Sequence, residues 1–315
     1  MDGNKKRFYS LNQYLKDRFG QKVYKLSLNG GMTCPNRDGK IDNRGCIFCS
    51  KGGSGEFASD KNLSITEQIE TAKIKVSNKI KNGKYIAYFQ AFTNTYAPLP
   101  YLEKIFFEAI KHPDVVTLSI ATRPDCLPKE VLDLLERLNR IKPVWIELGL
   151  QTIHDDTAKL IRRGYDIKCF EEAMQNLKDI SIETIIHIII GLPHETKEML
   201  LETIHYISKI KPEGIKLQLL HVLKNTDLEN YFLDGNFQTL SMKEYIDLLI
   251  LCIESLPKDI VVHRITGDSP HGMLVAPAWS EYKWTILNTI NKEMEKRDSF
   301  QGKNIINETT LIKKE

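Results

Sequence analysis

Cys34, Cys46 and Cys49 sit in one stretch, GGMTCPNRDGKIDNRGCIFCSKGGSGEFA, with the spacing C-x11-C-x2-C. Three thiolates can fill three corners of a cubane iron–sulfur cluster and leave one iron without a protein ligand. An open iron of that kind is a place where a small molecule can bind and be reduced. A structural zinc site normally takes four protein ligands, and no H-x3-H pair stands near these cysteines. Zinc with a distant histidine, and surface thiols without a metal, are the alternatives that the residues leave open. Cys126, Cys169 and Cys252 fall beside helical segments, where burial is the default. Cys126 follows RPD at a strand end, which makes it a secondary candidate for a redox or substrate role.

The elements that must hold the cysteine loop are legible as alternating periods. Apolar runs at 22–28, 84–90, 115–121, 144–150, 184–190 and 214–220 predict six strands. Between them, 3.6-residue spacing predicts helices at 64–81, 100–111, 128–140, 154–163, 168–178 and 197–210. Ser64 and Glu67 form a capping-box signature, Ile65, Ile69, Ala72, Val76 and Ile80 follow at helical spacing, and Asn82–Gly83 marks the stop. Strands separated by helices predict parallel βα units with right-handed crossovers. Near-continuous apolar strands predict burial on both faces. The fold class is therefore α/β, a partial (β/α)6 barrel, with a doubly wound sheet as the alternative. The cysteine loop follows the first strand, at the mouth where barrel sites assemble.

After residue 224 the pattern changes. A helix is predicted at 241–256, a seventh strand at 259–265 and a last amphipathic helix at 284–297, with a tail from 298 expected to fray. The expected organisation is a basic N-terminal extension at 1–20, a core at 21–224, and a C-terminal α/β cap and tail at 225–315.

The 315 residues are 42% hydrophobic and 27% charged, as in ordinary globular proteins. No apolar run has the length of a membrane span, and the N-terminus has basic residues without the apolar stretch of a signal peptide, so the expected location is cytoplasmic. Six cysteines in such a chain do not make a disulfide framework. The net charge of +3 permits a polyanionic partner without demanding one.

The loop and the six βα units resemble the radical SAM superfamily, in the branch of the Elongator catalytic subunit and the oxygen-independent coproporphyrinogen oxidases. Those families also place an aromatic residue before the last cysteine, where Phe48 stands here. The C-x11-C gap is longer than the usual C-x3-C-x2-C of the superfamily, and the Elongator branch tolerates a longer one. More narrowly, YIAYFQAFTNTYAP, SIATRPDCLP, VWIELGLQTIHDDT, IIIGLP, GIKLQLLHVLKNT and VHRITGDSP…APAWSEYKW resemble the YtqA-type, YhcC-related subgroup.

The resemblance implies a [4Fe-4S] cluster on Cys34, Cys46 and Cys49, S-adenosylmethionine (SAM) on its open iron, and a reductant such as flavodoxin or ferredoxin. It implies that Gln90 and Thr93 hold the methionine amino group, although QAFTNT lacks the glycines and Glu of the usual GGE-like turn. Gln151 is implied at the ribose hydroxyls, where an amide can donate and accept. Arg163 is implied as a bidentate clamp on the methionine carboxylate, with Arg162 as its competitor. His187 aligns with a ribose-binding Asp of related families, with a core histidine as the alternative. Gly191 is implied to bring backbone against adenine.

The subgroup is linked to conversion of the tRNA wobble nucleoside 5-carboxymethylaminomethyl-(2-thio)uridine to its 5-aminomethyl form. A carboxylate-bearing substituent wants a cationic partner, and Arg123, His263, Arg264 and Lys283 are the candidates, each with a structural role as its alternative. An RNA docking surface is expected from Lys5, Lys6, Arg7, Lys16, Arg18, Lys22 and Lys25, interleaved with Phe8, Tyr9 and Tyr14. Lys292, Lys296, Arg297, Lys303, Lys313 and Lys314 add to it, and a solvated charged face is the alternative. A radical SAM enzyme acting on a peptide or small metabolite, and a non-catalytic iron–sulfur or zinc protein, are the competing functions.

Overall fold

Residues alternating inward and outward along each strand become a curled parallel sheet with helices on its convex face. The structure is a computed structural model, and it describes residues 7–79 and 83–305. Lys5, Lys6, Ile80, Asn82, Lys313 and Lys314 lie outside these residues.

The chain runs α1 (Leu11–Phe19), β1 (Val23–Leu28), α2 (Ile65–Val76), β2 (Lys84–Phe89), α3 (Leu99–Lys111), β3 (Val115–Thr122) and α4 (Lys129–Asn139). β4 (Val144–Gln151), α5 (Asp155–Leu160), α6 (Ile167–Asp179), β5 (Glu183–Ile190), α7 (Lys197–Ile210) and β6 (Gly214–Leu219) follow. The last part holds β7 (Val222–Leu223), α8 (Asp227–Leu233), α9 (Met242–Glu254), β8 (Val261–Arg264), β9 (Leu274–Ala276) and α10 (Lys283–Lys296). Seven strands pair in the order β1-β2-β3-β4-β5-β6-β8, all parallel, in the curled half-barrel expected of the six βα units. The seventh strand expected at 259–265 is β8, so the sheet is continuous across residue 224.

Local chemistry explains the helices. Ser64 and Glu67 close the capping box at the start of α2, and Ser241 with Glu244 does the same for α9. On α4, Leu134, Leu135 and Leu138 are fully buried, each contributing about 1.5–3 kcal/mol by leaving water. They pack with outward strand residues such as Leu26, Phe89, Ile120 and Ile186 in the main core.

The inward residues form layers. At the bottom, Val23, Ile86, Trp145 and Ile185 cluster with Leu15 of α1. The ring of Tyr14 lies 6.0 Å from that of Trp145. Helix α1 touches both edge strands, β1 and β8, and Ser10 bridges to Val262 in parallel register. The N-terminal helix therefore fills the lower end of the barrel between its two edges.

Several expectations are corrected. The helix expected at 154–163 ends at Leu160, because Arg162 turns left-handed (φ 54°) and carries Arg163 inward. The antiparallel ribbon of β7 and β9, and helices α1 and α8, stand where none was expected. The tail does not fray over 298–305. Ser299 and Gln301 are buried, and Gln301 accepts from Tyr9 N (2.8 Å) while its Nε2 donates to Pro257 O and Ile260 O.

The basic N-terminal surface is also corrected. Phe8 is buried, Arg7 pairs with Asp298, and Arg18 pairs with Glu183. Lys25 points into the barrel, at odd parity with the outward Leu26 and Leu28. At the other end, Arg297 is held by Asp247 and Glu293. Among the described residues, no helix is long and apolar enough to cross a membrane.

Candidate active site

Cys34, Cys46 and Cys49 line a single cavity of about 290 Å³ at the C-terminal ends of the strands. Their loop is pinned by its own backbone and by neighbours. Cys49 N donates to Cys46 O (3.0 Å), and Arg37 Nη2 donates to Cys49 O (2.7 Å) and Ser50 O (2.6 Å). Asn36 Nδ2 donates to Arg162 O (2.8 Å) and reaches Cys46 Sγ at 3.5 Å. The cap grips the same loop: Leu228 N donates to Ile47 O (2.9 Å), and Arg162, whose Nε donates to Gly45 O, pairs with Asp227.

The donor set fits an iron–sulfur cluster. Burial pushes the Cys46 thiol up to about 12, with repulsion from Cys49 and Cys34 adding to it, and burial also raises Cys49. Ionising Cys46 and Cys49 therefore calls for positive charge beside them, and metal ligation requires thiolates. Among the described residues, the three sulfurs are not gathered within 4.8 Å of one another. A tetrahedral zinc with Zn–S of about 2.3 Å would hold its sulfurs about 3.8 Å apart, whereas a cubane puts each cysteine on a separate iron. Glu70, His112 and Asp114 do converge within that distance, but the Lys73 ammonium already bonds Glu70 and Asp114.

Most residues expected around SAM line the cavity. Phe48, Gln90, Thr93, Gln151, Arg163 and His187 all do. Gln151 sits at a bulge of β4 with φ 61°, a left-handed conformation that costs a non-glycine residue on the order of 1 kcal/mol or more. Tyr165 donates to Gly149 O and Gln151 Oε1, which fixes that bulge. Gln90 Nε2 donates to Ser54 O (2.8 Å), tying β2 to the cysteine loop.

Arg163 departs from the two-armed clamp. It is 1% exposed, with Nη1 on Leu150 O and Thr152 O and Nε on Tyr165 O. Only Nη2 has no protein partner, so one arm is free. Arg162, its competitor, is held in the Asp227 pair. Gly191 makes the turn after β5 at φ 88°, where a Cβ would meet Leu240 at 2.9 Å, and it stands outside the cavity wall.

Of the four groups expected as cations for the substrate, three are already engaged and the fourth is neutral. Arg123 lines the cavity but donates to both oxygens of Asp125 (2.8 Å each) and to Arg163 O. Arg264 lines it and pairs with Asp268, which also takes Lys283; Lys283 is outside the wall. His263 is no cation at all. It is packed 5.5 Å from Trp145, below the cavity, and burial with the nearby Lys25 drives its pKa well below the usual value. Gly214 makes room for that ring, since a Cβ there would meet His263 Nε2 at 2.6 Å. Cys126 is buried in a separate pocket with Thr95 and Tyr96, and Cys252 is buried while Cys169 is half-buried.

What sequence reasoning missed is the floor. Glu147, wholly buried, receives Lys25 on Oε1 and Lys216 and His187 on Oε2, with Ser119 donating to Oε1 (2.9 Å). Lys216 also donates to Tyr88 OH at 3.2 Å. Burial alone would raise the Glu147 pKa, but Lys216, Lys25 and the His187 bond outweigh it and hold it well below the usual range. Burial brings His187 down to about 4, helped by Lys216, so it is neutral near pH 7. Burial also brings Lys216 down to about 7 against the pull of Glu147, with Lys25 and Arg264 adding repulsion. The available signal was a lysine at inward parity inside the apolar run GIKLQLL.

Comparison with known proteins adds relatives. Residues 43–207 match the Radical SAM superfamily and residues 212–296 match the Radical_SAM C-terminal domain. YtqA of Bacillus subtilis (strain 168) is 46% identical over 95% of this chain and 92% of its own. A tRNA uridine(34) acetyltransferase of Methanocaldococcus infernus is 29% identical over 53% of this chain and 31% of its own length. The solved structure of archaeal Methanocaldococcus infernus Elp3 is similar with a TM-score of 0.68 at 19% identity, over 89% of this chain and 64% of that one. At that identity the likeness is one of fold.

Proposed function

This chain belongs to the radical SAM superfamily, and from that premise we propose that it modifies a tRNA wobble uridine, taking 5-carboxymethylaminomethyl-(2-thio)uridine to its 5-aminomethyl form. The cofactors are those of the superfamily, a [4Fe-4S] cluster and SAM, and the chemistry needs a one-electron reductant such as flavodoxin or ferredoxin. Cluster and SAM together supply a carbon radical able to take hydrogen from an unactivated C–H. In this function the C–H attacked is that of the carboxymethyl CH2.

The observation that carries the enzyme class is the convergence of Cys34, Cys46 and Cys49 with Gln151 and Arg163 on one cavity. The three cysteines hold the cluster. The free Nη2 of Arg163 takes the methionine carboxylate, Gln151 the ribose hydroxyls, and Gln90 with Thr93 the amino group. Rigid strand ends align these groups, and the closed lower barrel keeps water from the radical. The tRNA substrate is supported by the likeness to a tRNA uridine(34) acetyltransferase.

The test is anaerobic reconstitution with dithionite, SAM and tRNA from a strain lacking this gene. The expected result is 5′-deoxyadenosine together with loss of the carboxymethyl group, read by mass spectrometry of the wobble nucleoside. Formation of 5′-deoxyadenosine with an unchanged nucleoside rejects the tRNA substrate and leaves a peptide or metabolite in its place.

A further inference from the structure

We propose that Lys216, on the floor of the cavity, is the binding subsite for a carboxylate carried by the substrate. The assignment rests on the wobble-uridine function proposed above and supplies the recognition element that function requires.

The charge balance of the floor is the first support. Glu147 and Asp268 line the cavity with Lys216 of β6 and Arg264 of β8, and Lys25 and Lys283 join them from outside its wall, so two carboxylates meet four cations. Asp268 is shared by Arg264 and Lys283, and Glu147 by Lys25 and Lys216. The neighbouring His187 and His263 are neutral and take no share of the balance. Burial and the Lys25 charge bring Lys216 down to about 7, so an incoming carboxylate also draws the proton onto it; with both ammoniums charged, the one carboxylate of Glu147 leaves the floor with surplus positive charge. A low-dielectric site makes that surplus felt strongly by an incoming anion.

Geometry is the second support. Lys216 is 6% exposed yet lines the cavity, and its ammonium meets two protein acceptors, Glu147 and Tyr88 OH. An ammonium has three donors, so one is left for a ligand. Arg123 and Arg264, the other cations on the wall considered for this role, already hold Asp125 and Asp268. Strand β6 places Lys216 in register with Arg264 and one inward position below Gln218, deep beneath the cysteines. An N-alkylglycine group has the shape for such a site: a terminal carboxylate on a short arm, with the reacting CH2 next to it and held above the floor.

The experiment compares two tRNAs, one ending its wobble substituent in carboxymethylaminomethyl and one in aminomethyl, bound to reconstituted wild-type and Lys216→Met protein in the presence of SAM. The wild type is expected to favour the carboxylate-bearing tRNA by about tenfold or more, the scale of one charge-assisted bond. The variant is expected to lose that preference and to bind SAM as the wild type does. A variant that keeps the preference overturns the subsite. A variant that loses SAM affinity and keeps the preference assigns Lys216 to the methionine carboxylate instead, which also overturns it. If the wild type binds neither tRNA, the wobble-uridine function fails. The subsite is then decided with N-methylglycine, which must raise the melting temperature of the wild type and not of Lys216→Met. Should the variant not fold, inhibition of wild-type turnover by N-methylglycine and not by methylamine supports the subsite, and equal inhibition or none overturns it.

Discussion

Glu147 of β4 and Lys216 of β6 meet across the strand between them, over the His187 ring of β5. Sixty-nine residues separate them in sequence. Their ion pair, with Lys25 arriving from the edge strand β1, draws one edge of the curled sheet and its sixth strand onto one carboxylate.

That arrangement makes the two partners unequal under mutation. Glu147→Gln leaves two ammoniums facing each other in the lumen and is expected to cost about 3–5 kcal/mol, the range for an uncompensated buried charge. Lys216→Met leaves Glu147 still held by Lys25, His187 and Ser119, and its cost is expected to be under about 2 kcal/mol. Urea unfolding of the two variants checks the order. Equal losses would show that the carboxylate is not the hub.

The pH dependence follows from Lys216. Burial lowers its folded pKa to about 7, while in the unfolded chain a lysine titrates near about 10.4. Between those values the unfolded chain binds the extra proton, so stability from this group rises with pH across the window and is flat below it. The difference in unfolding free energy between wild type and Lys216→Met is expected to shift in favour of wild type from pH 7 to pH 10, by on the order of a few kcal/mol. A pH-independent difference would contradict the depressed value.

The cysteine loop depends on the cap. Asp227→Ala removes the partner of Arg162 while Leu228 N still bonds Ile47 O. The expected cost to global stability is about 1 kcal/mol or less, but the amides of 45–49 should exchange faster and reconstituted iron should be lost sooner. Hydrogen exchange and iron content measured over time check this. Cys34→Ala, Cys46→Ala and Cys49→Ala serve as the reference, each expected to abolish the cluster absorbance and 5′-deoxyadenosine formation.

Gln301 is a structural staple. Gln301→Ala takes the side-chain acceptor from Tyr9 N, the side-chain donor from Ile260 O and one of the two donors from Pro257 O, which keeps Ile260 N, and the expected loss is about 2 kcal/mol. Chemical denaturation checks it, with Lys296→Ala, on an exposed side chain, as the neutral control.

The sheet was legible because strands buried on both faces carry apolar runs that helices interrupt at regular intervals. Of its inward polar residues, His187 was legible by itself inside TIIHIII. Its pairing with Glu147 was not, since curvature of the sheet, and no local pattern, decides which inward residues touch. For the same reason Lys25 looked like part of a basic surface beside Lys22. The ribbon of β7 and β9 has strands of two and three residues, too short to show a period. Helix α1 buries only Leu15 among its residues, so its apolar signal is faint. The cationic candidates failed differently: Arg123, Arg264 and Lys283 each found an acidic neighbour that spacing did not reveal.

Tyr9 and Gln301 are bonded to each other, and Ser10 lies along β8. During synthesis the ribosome releases the cysteine loop long before it releases the segment that closes the barrel. The start of the chain therefore waits for its last described residues before Tyr9 N has its partner, and the two termini of the fold are secured together.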